Sequence, residues 1–198
     1  MQKILYLDTE TTGLDNKKND IVQVAGIIEI EGKDVERFNI FCQPYSWENI
    51  SEEALAKQNR TIEDLKSYQK PQDAYEQLKA VLNKYVDKYD KTDKFFPAGQ
   101  NVLFDTDFMR EWALKGGDKY FGSYISRNSI DLKVFAAAAQ AWGICKFDNL
   151  QLESICKSIN VELANAHDAM ADIRATRECL RIFRKMFERF ENVDLKIL

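Results

Sequence analysis

Two acidic residues at the end of a short apolar run constrain this chain more than any other feature. Residues 4–7 (Ile-Leu-Tyr-Leu) form a continuous apolar segment, which predicts a strand buried on both faces. Residues 8–13 follow at once with the sequence Asp-Thr-Glu-Thr-Thr-Gly. Because side chains alternate along a strand, we expect Asp8 and Glu10 to project from the same face. Two carboxylates side by side there are costly to desolvate, and a divalent cation between them is the economical explanation.

A turn is the alternative account of the same residues. In that account Asp8 caps the turn, Gly13 closes it and Glu10 lies in solvent. A short motif alone does not decide between the two. Further acidic clusters along the chain favour the metal site.

Composition sets the class of protein in which such a site would work. At 198 residues, with 45% hydrophobic and 30% charged residues, the chain fits one domain over residues 1–198. The four cysteines are scattered, no apolar run is long enough to span a membrane, and the chain opens into a strand rather than a signal peptide. We therefore expect a cytoplasmic protein. The net charge of −4 argues against a broad footprint on duplex nucleic acid, but not against a small metal-assisted site.

Hydrophobic patterning predicts an α/β fold with a hairpin at one edge of the sheet. Strand-like segments occur at residues 4–7, 21–30, 35–41, 95–99 and 129–132. The second and third are joined across residues 31–33 and predict the hairpin. Helices are expected after the N-cap candidates Ser51 and Thr61, from Pro71, over residues 104–114, from residues 147–152, and after Asp168.

The terminal helix places a carboxylate at the head of its buried face. Its core-facing stripe includes Ile173, Thr176, Leu180 and Phe183. Asp172 lies one turn before Thr176, at the head of this stripe. It is a candidate ligand, because Asp168 is better placed to interact with the helix N-terminus. A solvated face is expected for the arginines of the same helix, with guidance of a nucleic-acid strand as the alternative role: Arg174, Arg177, Arg181 and Arg184.

The only histidine of the chain, His167, precedes Asp172 by five residues. We expect it in the loop before the helix, because five residues along a straight helix would put the two on different faces. An imidazole with an ordinary pKa near ~6.5 is a suitable proton acceptor at neutral pH. A surface or capping role is the alternative.

A third acidic cluster follows the strand expected at residues 95–99. Residues 101–105 (Asn-Val-Leu-Phe-Asp) provide a polar turn and a carboxylate at a helix start, where charge would come near Asp8 and Glu10. A helix N-cap is the alternative role for Asp105. On spacing alone, Asp107 is an equal candidate.

The three clusters together resemble the DEDD superfamily of 3′→5′ exonucleases, in its histidine-containing (DEDDh) subgroup. Residues 8–13 match its first motif, residues 100–105 its second (His-Asn-x-x-Phe-Asp), and residues 167–176 its third (His-x-Ala-x-x-Asp-Ala-x-Ala-Thr). The second motif selects Asp105 over Asp107. The similarity spans residues 4–180, and the nearest look-alikes are proofreading (epsilon) subunits of bacterial DNA polymerase III and related stand-alone exonucleases.

This resemblance implies a ribonuclease-H-like α/β fold, a five-stranded mixed sheet with helices on both sides. It implies hydrolysis of the terminal phosphodiester bond of DNA or RNA, with release of nucleoside 5′-monophosphates by two divalent ions, Mg²⁺ or Mn²⁺. The implied metal ligands are Asp8, Glu10, Asp105 and Asp172, and His167 is the implied general base. The implied partners are a single-stranded or frayed 3′ end and, for an accessory proofreader, a polymerase.

The resemblance also implies a set of substrate contacts, namely Thr11, Gly13, Leu14, Glu53, Asn101 and Phe104. The first three would line the pocket of the terminal nucleotide, with Leu14 as an apolar wedge against a base. Core packing is the alternative for Leu14 and Phe104. Gln100 and Gln58 replace histidines of the family pattern, which leaves the substrate preference open. The choice between DNA and RNA is open because no residue in the sequence is an identifiable reader of the 2′-hydroxyl. The alternative function is a catalytically silent nucleic-acid-binding or protein-interaction domain that retains the fold.

Overall fold

The protein, a computed structural model, is described over residues 2–163 and 168–188, with side chains through Met186. That part of the chain forms five strands and seven α-helices. They are β1 (Lys3–Thr11), β2 (Ile21–Ile30), β3 (Lys33–Phe41), α1 (Glu52–Lys57), α2 (Ile62–Ser67), α3 (Pro71–Leu82), β4 (Phe96–Gly99), α4 (Val102–Lys115), β5 (Ile130–Asp131), α5 (Leu132–Ala141), α6 (Leu152–Ile159) and α7 (Ala169–Glu188). The predicted α/β class is confirmed. None of the described helices has the length and apolar character needed to cross a membrane.

The strands form one mixed sheet in the order β3-β2-β1-β4-β5. β1 is antiparallel to β2 and parallel to β4, and β4 is parallel to β5. The predicted hairpin is β2–β3 at one edge, closed by Glu31 and Gly32. Both turn residues have positive φ, 49° and 77°, as a two-residue turn matched to the twist of its strands requires.

Because β1 carries apolar side chains on both faces, helices cover both faces of the sheet. On one face Leu5 and Leu7 of β1 belong to a core with α3 and α4. On the other face Ile4 and Tyr6 belong to a second core with α5, α6 and α7. This alternation confirms the five-stranded sheet flanked on both sides.

Local capping fixes where the predicted helices begin. Ser51 Oγ accepts a hydrogen bond from Ala54 N at 3.3 Å, and Thr61 forms a reciprocal capping box with Asp64. Asp168 Oδ1 accepts from Ala171 N at 2.9 Å at the start of α7, which confirms its expected N-terminal role.

The stripe predicted on α7 is buried, with Ile173, Thr176, Leu180 and Phe183 each at most 6% exposed. The expected solvated arginine face is wrong at Arg177, which is 5% exposed. Its guanidinium reaches across to the hairpin, where Nε and Nη2 donate to Glu29 Oε2 at 3.0 and 2.6 Å. The two carboxylates of the hairpin, Glu29 and Asp34, compensate the buried charge.

Candidate active site

The first acidic pair lies within β1 rather than in a turn. β1 continues to Thr11, so the alternative in which Asp8 caps a turn is wrong. Asp8 and Glu10 are half-buried, whereas Thr9 and Thr11 between and beyond them are buried. Since Asp8 is in phase with Tyr6, it lies on the face covered by α7, and Thr9 lies on the face covered by α4.

Because β4 ends early, the edge of β1 beside Asp8 and Glu10 is not paired with β4. The parallel pairing joins residues 4–6 to residues 96–98 and goes no further along β1. β4 then approaches so closely that a Cβ at Gly99 would stand 2.9 Å from the Leu7 carbonyl oxygen. The chain turns at Asn101, whose φ of 61° is left-handed, and α4 begins. The edge of β1 beyond Leu7 is therefore open to a side chain from α4.

Asp105 occupies that edge. Its Oδ1 accepts hydrogen bonds from Thr9 N at 2.9 Å and from Thr9 Oγ1 at 2.7 Å, and its residue is 3% exposed. It is not the N-cap of α4, a position that Asn101 holds. Asp107 instead points to solvent, where it pairs with Arg110 at 3.3 Å. Of the two residues that spacing left open, only Asp105 is brought to β1.

Asp172 enters from the opposite face in the first turn of α7. It lines one cavity together with Asp8. Asp168, at the N-terminus of the same helix, is close enough for its charge to raise the pKa of Asp8. His167 lies outside the described residues.

The four carboxylates repel one another in a poorly solvated space. Burial, and then neighbouring charges of which Asp105 is the largest, hold the pKa of Asp8 well above its usual value. Burial raises the pKa of Glu10 from 4.5 to about 7, against the opposing charge of Arg60. Burial likewise raises the pKa of Asp105 from 3.8 to about 7, although its hydrogen bonds from Thr9 lower it. Negative charge is therefore concentrated here without equal compensation.

The donor chemistry of this cluster suits a hard divalent cation. Every candidate ligand is a carboxylate, and oxygen ligands are those that Mg²⁺ and Mn²⁺ prefer. A cation would relieve the repulsion that raises these pKa values. Among residues 2–163 and 168–188, however, no three Asp, Glu, Cys or His side chains form a complete metal-binding group. The cluster supplies the ligand type but not, by these side chains alone, a finished coordination shell.

Two cavities adjoin the cluster. The first, the Leu14 cavity, has a volume of about 530 Å³ and its lining includes Glu10, Leu14, Glu53, Lys57 and Phe104. The second, the Asp172 cavity, has a volume of about 520 Å³ and its lining includes Asp8, Lys57, Asn101, Lys133 and Asp172. Lys57 borders both. The cluster therefore faces space large enough for groups the size of a nucleotide.

The residues expected to contact substrate lie in these cavities. Thr11, Gly13, Leu14, Glu53 and Phe104 line the Leu14 cavity, and Asn101 lines the Asp172 cavity. Leu14 is 87% exposed, so core packing is wrong for it. Phe104 both packs against the core and lines the cavity. Its ring packs on Phe108 with centroids 4.7 Å apart, and it also borders the Leu14 cavity.

Three cationic residues beside the cluster were missed by sequence reasoning. Lys57 pairs with Glu53 at 2.8 Å, a four-residue spacing that looks the same as any solvated helix pair. Lys133 lines the Asp172 cavity near the start of α5. Arg60 stacks over Phe41 at 5.3 Å and donates to Gln23. The tertiary fold brings these groups to the site, and the sequence carries no local signal for them.

Comparison with known proteins agrees with this geometry. A family model described as exonuclease (RNase_T) matches residues 5–180. This chain belongs to the exonuclease family. The match covers β1 from Leu5 onward, all of α4, and α7 through Leu180, the three elements that carry the acidic cluster. Exonucleases of this kind generally use divalent metal ions.

Solved exonuclease structures share the fold. The zinc-bound complex of E. coli exonuclease I with single-stranded DNA superposes with a TM-score of 0.78 at 22% identity, over 96% of this chain and 42% of that one. Exonuclease I from Methylocaldum szegediense superposes with a TM-score of 0.74 at 21% identity, over 93% of this chain and 41% of that one. This chain thus spans less than half the length of these exonucleases. A comparison with curated protein sequences gave no match.

Proposed function

We propose that this exonuclease removes nucleotides from the 3′ end of single-stranded or frayed DNA or RNA, releasing nucleoside 5′-monophosphates. The observation that carries the proposal is the convergence of carboxylates from β1, α4 and α7 beside two cavities. The family match supports the reaction class. Structures of E. coli exonuclease I with single-stranded DNA, including a dT13 oligonucleotide, share the fold and support the substrate class.

Asp8, Glu10, Asp105 and Asp172 would hold two divalent ions, Mg²⁺ or Mn²⁺. When bound, such ions lower the pKa of an attacking water and neutralise charge on the departing 3′ oxygen. The chain's own contribution is to fix the carboxylates in place. Thr9 does this for Asp105, since two hydrogen bonds to one oxygen leave the other oxygen oriented.

His167 would act as the general base, which assigns the chain to the histidine-containing subgroup. Its support is its place in the chain, directly before Asp168, whose charge acts on both Asp8 and Glu10. An imidazole with an ordinary pKa near ~6.5 is suited to accept a proton from the attacking water near neutral pH.

The terminal nucleotide would enter the Leu14 cavity. Leu14 offers an exposed apolar side chain at the edge of this cavity, and Phe104 offers an aromatic face. Apolar and aromatic groups of this kind stack on bases without reading their identity. Thr11, Gly13 and Glu53 would complete the pocket, while Asn101 would contact the strand from the Asp172 cavity.

A time course on 5′-labelled single-stranded DNA and RNA tests the proposal, run with Mg²⁺, with Mn²⁺ and with EDTA. We expect a metal-dependent ladder that shortens from the 3′ end, and the faster substrate identifies the preferred nucleic acid. Asp8→Ala and Asp105→Ala should abolish it, and His167→Ala should cut turnover severely with metal binding largely intact.

Asp107→Ala is the matched control, because Asp107 lies on the same helix as Asp105 but points to solvent and pairs with Arg110 at the surface. It should retain turnover. An intact label under every condition, from folded protein, would favour a silent binding or protein-interaction domain. Near-normal turnover of His167→Ala would remove His167 from the mechanism. Recruitment to a polymerase would be tested separately, by a change in polymerase error rate.

A further inference from the structure

A third cavity lies on the outer side of α4, away from the acidic cluster. Its volume is about 350 Å³. Six of its lining residues are Leu103, Thr106, Arg110, Ser126, Arg127 and Ser129. We refer to it as the arginine cavity. Two guanidinium groups and the hydroxyls of Ser126 and Ser129 supply donors around one space, whereas the buried Thr106 hydroxyl already donates to Leu103 O at 3.2 Å.

The charge of the arginine cavity is opposite to that of its two neighbours. Glu10, Asp15 and Glu53 line the Leu14 cavity, and Asp8, Glu153 and Asp172 line the Asp172 cavity. No carboxylate is among the residues that line the arginine cavity in the described structure. Such a local excess of positive charge, in a chain of net charge −4, favours an anionic ligand.

Both arginines are available to such a ligand. Arg127 is exposed and makes no ion pair with any described residue. The side chain of Arg110 pairs only at 3.3 Å with the largely exposed Asp107, an arrangement that contributes little in water. Planar guanidinium groups bind phosphate oxygens in a forked geometry, and the two serine hydroxyls add neutral donors.

The arginine cavity and the acidic cluster both border α4. Leu103 and Thr106 line it, and they are the chain neighbours of Phe104 and Asp105. Arg110 lies five residues beyond Asp105, which displaces it about 7.5 Å along the helix axis at ~1.5 Å per residue and turns it about 140° around that axis. A strand that reaches both residues must also cross the exposed side of α4, so it needs more than the two or three stacked nucleotides that cover about 7.5 Å at about 3.4 Å each.

We propose that the arginine cavity is a phosphate subsite for the backbone of the substrate strand, a few nucleotides upstream of the 3′ end. This proposal rests on the proposed function. Arg110 and Arg127 would bind successive phosphodiester groups, with hydroxyl donors beside them. The exposed Leu103, at 55%, would cover the sugar or base between them. Such contacts hold the strand without reading its sequence.

The test compares the double variant Arg110→Gln/Arg127→Gln with wild type on a dodecanucleotide and a dinucleotide. The dinucleotide is too short to reach both the cluster and the arginine cavity. We expect KM for the dodecanucleotide to rise about tenfold, as loss of charge-assisted hydrogen bonds predicts, with dinucleotide kinetics unchanged. The slope of log binding constant against log salt should fall by about 0.7 for each lost phosphate contact.

Two further variants sharpen the comparison. Arg110→Lys/Arg127→Lys keeps the charge and should restore most of the salt slope but less of the affinity. Arg37→Gln is the matched control, because Arg37 is a half-exposed arginine on β3 at the other side of the sheet. It should leave the kinetics of both substrates at wild-type values.

Equal losses on both substrates, or on neither, would overturn the phosphate subsite. Competition by inorganic phosphate at this cavity, with no difference in oligonucleotide binding between the double variant and wild type, would also overturn it. That result would assign the cavity to a free anion. If wild type cleaves neither substrate, the proposed function fails. Anisotropy of a 5′-fluorescent oligonucleotide then decides the subsite separately, because the double variant should still bind it about tenfold more weakly.

Discussion

One oxygen of Asp105 accepts two hydrogen bonds from Thr9, from its backbone nitrogen at 2.9 Å and from its hydroxyl at 2.7 Å. The contact joins α4 to β1 at the point where β4 no longer pairs with β1. A carboxylate thus takes the place of a neighbouring strand. The same contact fixes a negative charge beside Asp8, whose pKa it raises.

Asp105→Asn should therefore stabilise the metal-free protein while abolishing activity. An asparagine Oδ1 can accept both hydrogen bonds from Thr9, whereas the buried charge is removed. Each tenfold change in proton affinity corresponds to about 1.4 kcal/mol, so we expect a gain of roughly 1 kcal/mol or more at pH 8 in EDTA. Urea unfolding measures it. Asp107→Asn, a surface change on the same helix, should stay within about 0.5 kcal/mol of wild type, and a loss of stability in Asp105→Asn would contradict the account.

The pH dependence of metal-free stability should carry the signature of these carboxylates. The folded-state pKa of Glu10, about 7, lies above its ordinary value of 4.5. A group with a raised folded pKa binds protons more tightly when folded, so its stabilising contribution is complete below pH 4.5 and is lost as pH rises through about 7. Wild type should lose stability relative to Glu10→Gln over that window. Parallel pH profiles for the two proteins would rule out the raised pKa.

Divalent metal should raise the melting temperature at pH 8. A ligand that binds only the folded state at one hundred times its dissociation constant stabilises by about 2.7 kcal/mol. Millimolar Mg²⁺ or Mn²⁺ should therefore shift the transition of wild type by several degrees, and NaCl at equal ionic strength should not. Asp8→Asn should lose most of the shift in a thermal scan. No shift for wild type would count against the metal assignment.

Sequence patterning predicted the strands, the helices and the acidic residues Asp8, Glu10 and Asp172 because each depends on local spacing. The choice between Asp105 and Asp107 could not be made that way, because it depends on the rotation of α4 against β1 and on the early end of β4. Arg177 shows the same limit. Its partners Glu29 and Asp34 lie about 150 residues away in the chain, so a buried arginine looks like a solvated one until the hairpin packs against α7.

Arg177→Met should destabilise the fold without touching the cavities. Breaking this buried ion pair from one side costs about 3 kcal/mol, the lower end of the usual range, because the buried carboxylate of Glu29 keeps a contact with Arg181 at 3.4 Å. Adding Glu29→Gln to Arg177→Met should recover roughly 1 kcal/mol or more, since an amide is cheaper to bury than a charge. Arg174→Met, an exposed position on the same helix, is the control for denaturant unfolding. A small loss for Arg177→Met, equal to that of Arg174→Met, would show that the pair contributes nothing.

Gly13→Ala should weaken substrate binding by displacing the loop that carries Leu14. A Cβ at Gly13 would stand 2.5 Å from Asn19 Oδ1. That oxygen accepts from Asp15 N at 2.9 Å, and the Asn19 amide nitrogen donates to Asn49 O at 2.5 Å, so moving Asn19 releases both sides of the loop.

We expect a higher KM for oligonucleotides and a stability loss of about 1–3 kcal/mol, as for overpacking elsewhere. Gly122→Ala, where nothing lies within 4 Å of the added carbon, should change neither quantity. The double variant Gly13→Ala/Asn19→Ala separates the mechanisms, because it removes the clash. If the clash causes the effect, the double variant should behave like Asn19→Ala alone. Strictly additive losses of stability and binding would instead show that the methyl group acts on the pocket directly.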